Sequence, residues 1–349
     1  MEKQQRSQYL DIVKGLLIIM VVLAHSIQFG SGQAYYDEMR YFSDPVFKWI
    51  YGFHMPLFMA VSGFLFWRTV NRYPAWQVAR SRMRSLLVPI VSWQTLYLAL
   101  LLLAGTIVLN KYLLYSYTGA LWFLWSVLMS SLIVLIGHLA LRDSLAYYLM
   151  AWAVLLLVPE HRLSGLHVFM YPYFVMGFLW NKWDGHAWYR GRTRRERLVI
   201  LVVTAALYML LYFIYDIPER SVYLNGTTLL GRSSMGVQLG IDAVRYLYGT
   251  LGIVMLMTAV DLLMERISHA PRVQSLLCLL GRNTLSIYII NHYTMLCMLW
   301  LPVASLYCYV LTITETVLML GMAYGLTWLI RKNRWTRILL LGETAVKKS

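Results

Sequence analysis

Residues 9–29 read YLDIVKGLLIIMVVLAHSIQF, an apolar run interrupted only by Asp11, Lys14 and His25 before its polar end. A helix rising about 1.5 Å per residue needs roughly 20 such residues to cross the hydrocarbon of a bilayer, so the stretch reads as a transmembrane helix. At about 100° per residue, Lys14 and His25 lie about 20° apart around the axis, and Asp11 lies within about 60° of Lys14. One face of this helix therefore carries all three ionisable groups. Along the axis Lys14 and His25 are about 16 Å apart, so they mark two depths of a polar track rather than a contact.

The rest of the chain repeats the apolar pattern. Its 349 residues are 59% hydrophobic and 13% charged, with a mean hydropathy of +0.57, a composition suited to lipid rather than water. Apolar stretches near 9–29, 49–67, 86–109, 120–140, 145–159, 166–181, 198–215, 242–264, 283–305 and 309–330 predict an all-α polytopic membrane protein of about ten spans. The fifth and sixth are short. No linker, composition shift or internal repeat divides the chain, which predicts one membrane domain over 1–349 with a basic tail at 331–349. Asp11 and Lys14 at its start, and the lack of a small-residue cleavage site after it, predict a retained first helix rather than a signal peptide.

The net charge of +15 raises the question of nucleic acid, and the placement of the basic residues answers it. With the N-terminus inside, most Lys and Arg fall in alternate segments: 68–84, 182–197, 266–282 and 331–348 are rich in them. The outer connections, of which 30–48 and 216–241 are longest, hold few. This asymmetry is the positive-inside pattern and predicts both termini in the cytoplasm. It leaves no nucleic-acid reading. The outer loops, the second holding Asn225-Gly226 and Gly231, are expected to cover an extracytoplasmic mouth. Cys278, Cys297 and Cys308 show no paired spacing and imply no disulfide framework.

An unpaired charge in a membrane helix costs several kcal/mol, on the order of 3 at the helix centre, so each one needs a partner or a purpose. Asp11 and Lys14 can form an ion pair at i,i+3. His25 sits deep in the apolar run, and a neutral imidazole is suited to take a proton from a hydroxyl near neutral pH. Asp11 is about 21 Å along the helix from His25 and cannot orient it, so a partner must come from another helix or outer loop, with Asp242 or Asp37 as candidates. Phe53-His54-Met55-Pro56 with Ser62-Gly63 interrupts the second span, either to line a cavity or as a kink with close packing at Gly63. Arg80, Arg82 and Arg84, followed by Pro89, and the arginines of 190–197 have the chemistry to bind phosphates, although basic inner loops are common to membrane proteins. Gly281-Arg282-Asn283 opens a ninth span that places a second intramembrane histidine, His292, where it either lines the same cavity or packs. No Gly-rich nucleotide loop, HExxH, GxSxG or metal-ligand spacing is present, so no bound metal or cofactor is expected.

With these residues in view, the chain resembles the acyltransferase-3 family of membrane acyltransferases, which includes O-antigen, capsule and Nod-factor O-acetyltransferases. Leu10-Asp11-Ile12-Val13-Lys14-Gly15 followed by His25 is similar to the family's basic-residue, ten-residue gap, histidine motif. Phe53-His54-Met55-Pro56-Leu57-Phe58 with Ser62-Gly63-Phe64-Leu65 is similar to its second-helix motif, particularly in the fucose O-acetylase-like branch. Arg84 with Pro89, Leu121-Trp122-Phe123-Leu124 and Gly281 to His292 fall where the family has similar stretches. The glutamate that follows Trp-Ser-Leu in many members is absent after Trp125-Ser126-Val127-Leu128, and the fused extracytoplasmic esterase-like domain of some members is not expected within these residues.

The resemblance implies ten helices in the cytoplasmic (inner) membrane, cytoplasmic acetyl-CoA as co-substrate, and a cell-surface or lipid-linked glycan as acceptor, with membrane lipids around it. Under that expectation His25, Lys14 and Asp11 carry the chemistry. His25 is either general base or transient acyl carrier. His54, Ser62, Arg80, Arg82, Arg84, Trp122, Asn283 and His292 bind donor or acceptor. The competing reading is a transporter or flippase of a glycan or lipid-linked intermediate, in which the same broken helix and charges form a translocation path.

Overall fold

The computed structural model describes residues 2–107, 113–159, 164–214, 227–230, 232, 234–298 and 308–344, with the backbone alone at 2–7, 113–115, 265, 296 and 297. Among the described residues every regular element is helical. The chain runs through α1 (Glu2–Phe29), α2 (Gln33–Asp37), a 3-10 turn (Arg40–Ser43), α3 (Pro45–Tyr51) and α4 (His54–Val70). It continues through α5 (Ala75–Arg82), a π-turn (Met83–Leu87), α6 (Val88–Leu103), α7 (Leu113–Gly119), α8 (Trp122–Leu141), α9 (Leu145–Leu156) and α10 (Ser164–Lys182). Then follow α11 (Gly185–Arg190), α12 (Arg194–Ile214), α13 (Met235–Ser268), α14 (Pro271–Arg282), α15 (Thr284–Met298), α16 (Tyr309–Arg331) and α17 (Arg334–Leu341).

Seven of these helical runs are long and apolar enough to cross a membrane, and the α14–α15 pair, bent by 72°, brings the number to eight if it is one span. The count of about ten is thus not reached by length and apolarity. The fifth expected span, α9, has 12 residues, roughly 18 Å of helix and short of the hydrocarbon thickness. The sixth, α10, is 19 residues long but carries His167, Pro172, Asn181 and Lys182. It is clothed by α4, α8 and α9 rather than by lipid, which removes the need for an apolar surface. The ends of two expected spans (108–109 and 299–305), the turn at Asn225-Gly226, Gly231 and the last tail residues 345–349 lie outside the described residues.

The helix read first lies in the interior of the bundle. Of its apolar window 61% is buried, against 11% for α12, and it packs on α3, α4, α13, α14, α15 and α16. That is why α12 can be apolar all over its outer surface while α1 can hold polar groups on one face. The expected interruption at Ser62-Gly63 proves to be close packing within a continuous α4. Gly63 lies against the Phe174 carbonyl and Gly177 against the Ala60 carbonyl, so the α4 and α10 backbones meet where a Cβ would not fit. The actual break comes earlier, at Gly52 and Phe53 between α3 and α4, and Pro56 sits in the first turn of α4, where its missing N–H is tolerated.

The segments expected on the inner side converge at one end of the bundle. Lys182 Nζ donates to the Arg142 and Asp143 carbonyls, both at 3.3 Å, Arg331 reaches Asn283, and Gly342 lies against Arg84 and Ser85. The expected outer segments meet at the other end, where Tyr309 donates to Asp44 Oδ2 at 3.0 Å and Leu229 N to the Leu156 carbonyl at 2.8 Å. There the 30–48 connection folds over the end of α1, with Phe29 stacked on Tyr36 at 4.9 Å and Asp44 capping α3 through Phe47 N.

Candidate active site

Two features face one another along α1. Toward the basic end lies a cavity of about 180 Å³, walled mostly by apolar side chains of α1, α4, α8 and α15. Its cations are Lys14 and Arg82, and its small polar groups are Ser62 and Thr284. Lys14 Nζ pairs with Asp11 at 2.7 Å, the i,i+3 pair that the spacing allowed. Arg82 differs. Among the described residues its guanidinium has no carboxylate partner and lies 4.7 Å from the centroid of the Phe66 ring. The helix leaves Arg82 through a π-turn, Met83–Leu87, a local widening that often accompanies functional sites.

Farther along α1 stands His25. Its Nδ1 lies 2.6 Å from Asn291 Oδ1 on α15. Because an amide oxygen only accepts, this contact places the proton on Nδ1 and leaves the Nε2 lone pair as the basic atom. The ring meets Phe29 edge-on at 6.0 Å. His54 and His292 stand near enough to His25 for their charges to interact with it. His54 donates from Nδ1 to the Ile50 carbonyl at 2.9 Å, which likewise leaves its Nε2 as an acceptor. His292 is held among rings, 6.5 Å from Tyr288 and 5.1 Å from Tyr293. His25, His54 and His292 do not line the cavity, although Met55 and Tyr288, close in the chain to His54 and His292, do.

The remaining residues singled out from the sequence fall in different places. Ser62 lines the cavity but donates to the Phe58 carbonyl at 2.8 Å within its own helix. Arg80 is exposed and lies outside the cavity lining. Arg84 is half-buried, and its Nε has no hydrogen-bond partner among the described residues. Trp122 begins α8, and it is the next residue, Phe123, that reaches the cavity. Asn283 is 5% exposed and is bound by Arg331 at 2.5 Å, while its neighbour Thr284 lines the cavity. Among the described residues no group of three or more His, Cys, Asp or Glu is placed to hold a metal ion.

Two residues escaped the sequence reading. Asn291 was visible as a polar side chain inside an apolar span, beside His292, but nothing in the spacing tied it to α1. Asp242 and Asp37, the acids weighed as partners for His25, are engaged elsewhere. Asp242 holds Arg245 Nη1 at 2.7 Å and Asp37 accepts from Gln33 Nε2 at 2.7 Å. The second is Glu315, a lone acid in the tenth apolar stretch. It is 5% exposed, and one carboxylate oxygen has no hydrogen-bond partner among the described residues. It stands beside the last turn of α1, where a Cβ on Gly30 would strike its carboxylate and where Thr316 donates to Ser26 Oγ at 3.2 Å.

A family model described as an acyltransferase domain matches residues 7–332 of the chain. Two curated relatives, each called nodulation protein NolL, are similar to it. One, from Sinorhizobium fredii, is 35% identical over 180 residues, which cover 48% of this chain and 47% of the relative. The other, from Mesorhizobium japonicum, is 28% identical over 304 residues, covering 80% of this chain and 74% of the relative. The chain thus spans about half the length of the first relative and about three quarters of the second. No solved structure matches.

Proposed function

We propose that this chain, which belongs to the acyltransferase-3 family, moves an acetyl group from cytoplasmic acetyl-CoA to a hydroxyl of a cell-surface or lipid-linked glycan. Acyl transfer follows from the family, and the run of apolar helices makes the protein a multi-pass membrane protein. The choice of donor is supported by the cavity. Its apolar walls suit a thin acyl-pantetheine arm, and Lys14 and Arg82 suit the negative charge such a donor carries. The choice of acceptor is supported by the glycan-modifying membership of the family. On this reading the basic end faces the cytoplasm of a cell whose inner membrane holds the protein, and both termini lie on that side.

The observation that carries the reading is the His25–Asn291 contact, which fixes the tautomer of a buried imidazole. The acceptor hydroxyl gives its proton to His25 Nε2 while its oxygen attacks the thioester carbonyl. The C–S bond breaks, and the departing CoA thiolate takes the proton back from the imidazolium. A covalent course, in which Nε2 first accepts the acetyl group and then yields it to the hydroxyl, uses the same lone pair and the same orienting amide. Asn291 stands to His25 as the amide does in Cys-His-Asn sites, a positioning partner rather than a proton carrier. Lys14, about 16 Å away along α1, is too far from His25 to touch the same carbonyl and serves the donor's charged portion, with Asp11 setting its position.

The test is His25→Ala in a protein shown to reach the membrane intact, with mass analysis of surface glycans as the readout. Loss of O-acetylation is expected, and undiminished O-acetylation overturns the assignment. Free CoA released from acetyl-CoA by the purified protein separates acyl transfer from translocation, which releases none.

A further inference from the structure

The 72° bend between α14 and α15 sits at Asn283, and it divides two jobs. Below it α14 lies along α1, with Gly281 against the Asp11 backbone and Gly15 against the Leu277 carbonyl. Above it Thr284, Leu285 and Tyr288 of α15 form one wall of the cavity. The angle of that wall depends on what holds Asn283. Its side-chain amide donates to the Leu279 carbonyl at 2.7 Å, and its Oδ1 accepts from Arg331 Nη1 at 2.5 Å.

Arg331 ends α16 and is only 15% exposed. Its remaining donors form a fork on Glu343, Nε to Oε2 at 2.8 Å and Nη2 to Oε1 at 2.7 Å. A planar guanidinium can serve both partners at once, where an ammonium would serve them only as a point charge. Glu343 in turn follows α17, which is anchored to α6 and to the π-turn whose Leu86 lines the cavity. Trp93 Nε1 donates to the Leu340 carbonyl at 2.8 Å, and Gly342, at φ 65°, is pressed on the Arg84 and Ser85 backbone. That φ and that contact both demand glycine. Residues 334–344 therefore bridge the two walls of the cavity at the basic end, and they lie beyond residue 332, where the family match stops.

We propose that the C-terminal segment 334–344 is a clamp that sets the width of the donor cavity, with Arg331 as a positioning residue acting through Asn283 and Glu343. It binds no part of the substrate. The inference rests on the cavity being the donor site only for its effect on acetyl-CoA, since the geometry of the wall is a property of the protein alone.

The experiment uses the full-length protein in detergent, with two readouts. The first is the affinity for acetyl-CoA by calorimetry. The second needs no ligand: the rate at which a small maleimide labels Thr284→Cys in a chain whose three cysteines are replaced by serine. Glu343→Gln is expected to weaken acetyl-CoA binding about tenfold and to change the labelling rate by a similar factor, with Glu343→Asp recovering most of both. Arg331→Lys, which keeps the charge and loses the fork, serves where Glu343→Gln fails to fold and is expected to behave like it. Adding Asn283→Ala to Glu343→Gln is expected to cost no more than the worse single change, as for members of one chain of contacts. An unchanged labelling rate in both Glu343→Gln and Arg331→Lys overturns the clamp whatever acetyl-CoA does. Wild-type protein that binds no acetyl-CoA overturns the donor reading instead, and the labelling rates still decide the clamp.

Discussion

Gly281 is pressed against the Asp11 backbone so closely that a Cβ at that position would overlap the Asp11 carbonyl. This contact, and its counterpart between Gly15 and Leu277, let α14 lie directly on the helix that carries Lys14 and His25. Close backbone approach of this kind is a main source of association between helices in lipid, where apolar burial gives no drive. Gly281→Ala is expected to destabilise the protein by about 1–3 kcal/mol through overpacking. Gly321→Ala, where nothing lies within 4 Å, is expected to be neutral or to stabilise by up to about 1 kcal/mol by restricting the unfolded chain. Thermal unfolding of the two variants in one detergent checks both.

The orientation of His25 by Asn291 makes a graded prediction. His25→Ala removes the acting lone pair and is expected to lower turnover by about 10²–10⁴. Asn291→Ala keeps the imidazole but frees its tautomer, so turnover is expected to fall by a smaller factor, about tenfold or more, with donor affinity held. Asn291→Asp retains an acceptor for Nδ1–H and is expected to lie between wild type and Asn291→Ala. Steady-state CoA release with the acceptor in excess gives the order, and equal activity in Asn291→Ala and wild type would remove Asn291 from the site.

Arg82 and Arg80 are two residues apart yet are expected to behave differently. Arg82 lines the cavity without a carboxylate partner among the described residues, while Arg80 is exposed and outside the lining. Losing a charge-assisted contact to the donor is worth about 1.5–3 kcal/mol, so Arg82→Gln is expected to raise the KM for acetyl-CoA by about tenfold or more with little change in kcat. Arg80→Gln is expected to leave both near wild type. Equal effects at the two positions would show that general basicity, rather than the cavity, draws the donor.

A buried ion pair outside the site predicts stability rather than activity. Arg245 is fully buried over the Phe169 ring, and Asp242 holds it at 2.7 Å while also accepting from Gln238 at 3.1 Å. Asp242→Ala leaves that guanidinium without its acid and is expected to cost about 3–5 kcal/mol. A lowered unfolding temperature checks it, and an unchanged one would mean that Arg245 is satisfied by its other neighbours.

Much of the fold was legible because lipid imposes a length and a composition on every span. Helices occur at all ten expected stretches among the described residues, although only seven, or eight with the bent pair, are long and apolar enough to cross. The two that fall short do so for different reasons: α9, with 12 residues, is too short, whereas α10 is enclosed by neighbouring helices, and sequence pattern cannot distinguish a lipid-facing helix from one that neighbours enclose. The same limit applied at Ser62-Gly63, where a small-residue pair is equally consistent with a break and with the backbone contact it makes.

For the site, the track on α1 could be read without any tertiary information. Helical periodicity puts Asp11, Lys14 and His25 on one face and fixes their depths, and the cost of charge in hydrocarbon requires a partner or a purpose for each. What the tertiary structure alone decided is which groups meet them: Asn291 at His25, Arg82 beside the Lys14 cavity, and Arg331 joining Asn283 to Glu343. Those pairs span 266, 68, 48 and 12 positions of chain. Periodicity orders side chains within one helix, whereas the rotation and register between helices are settled by packing, and packing is where a buried donor finds its acceptor.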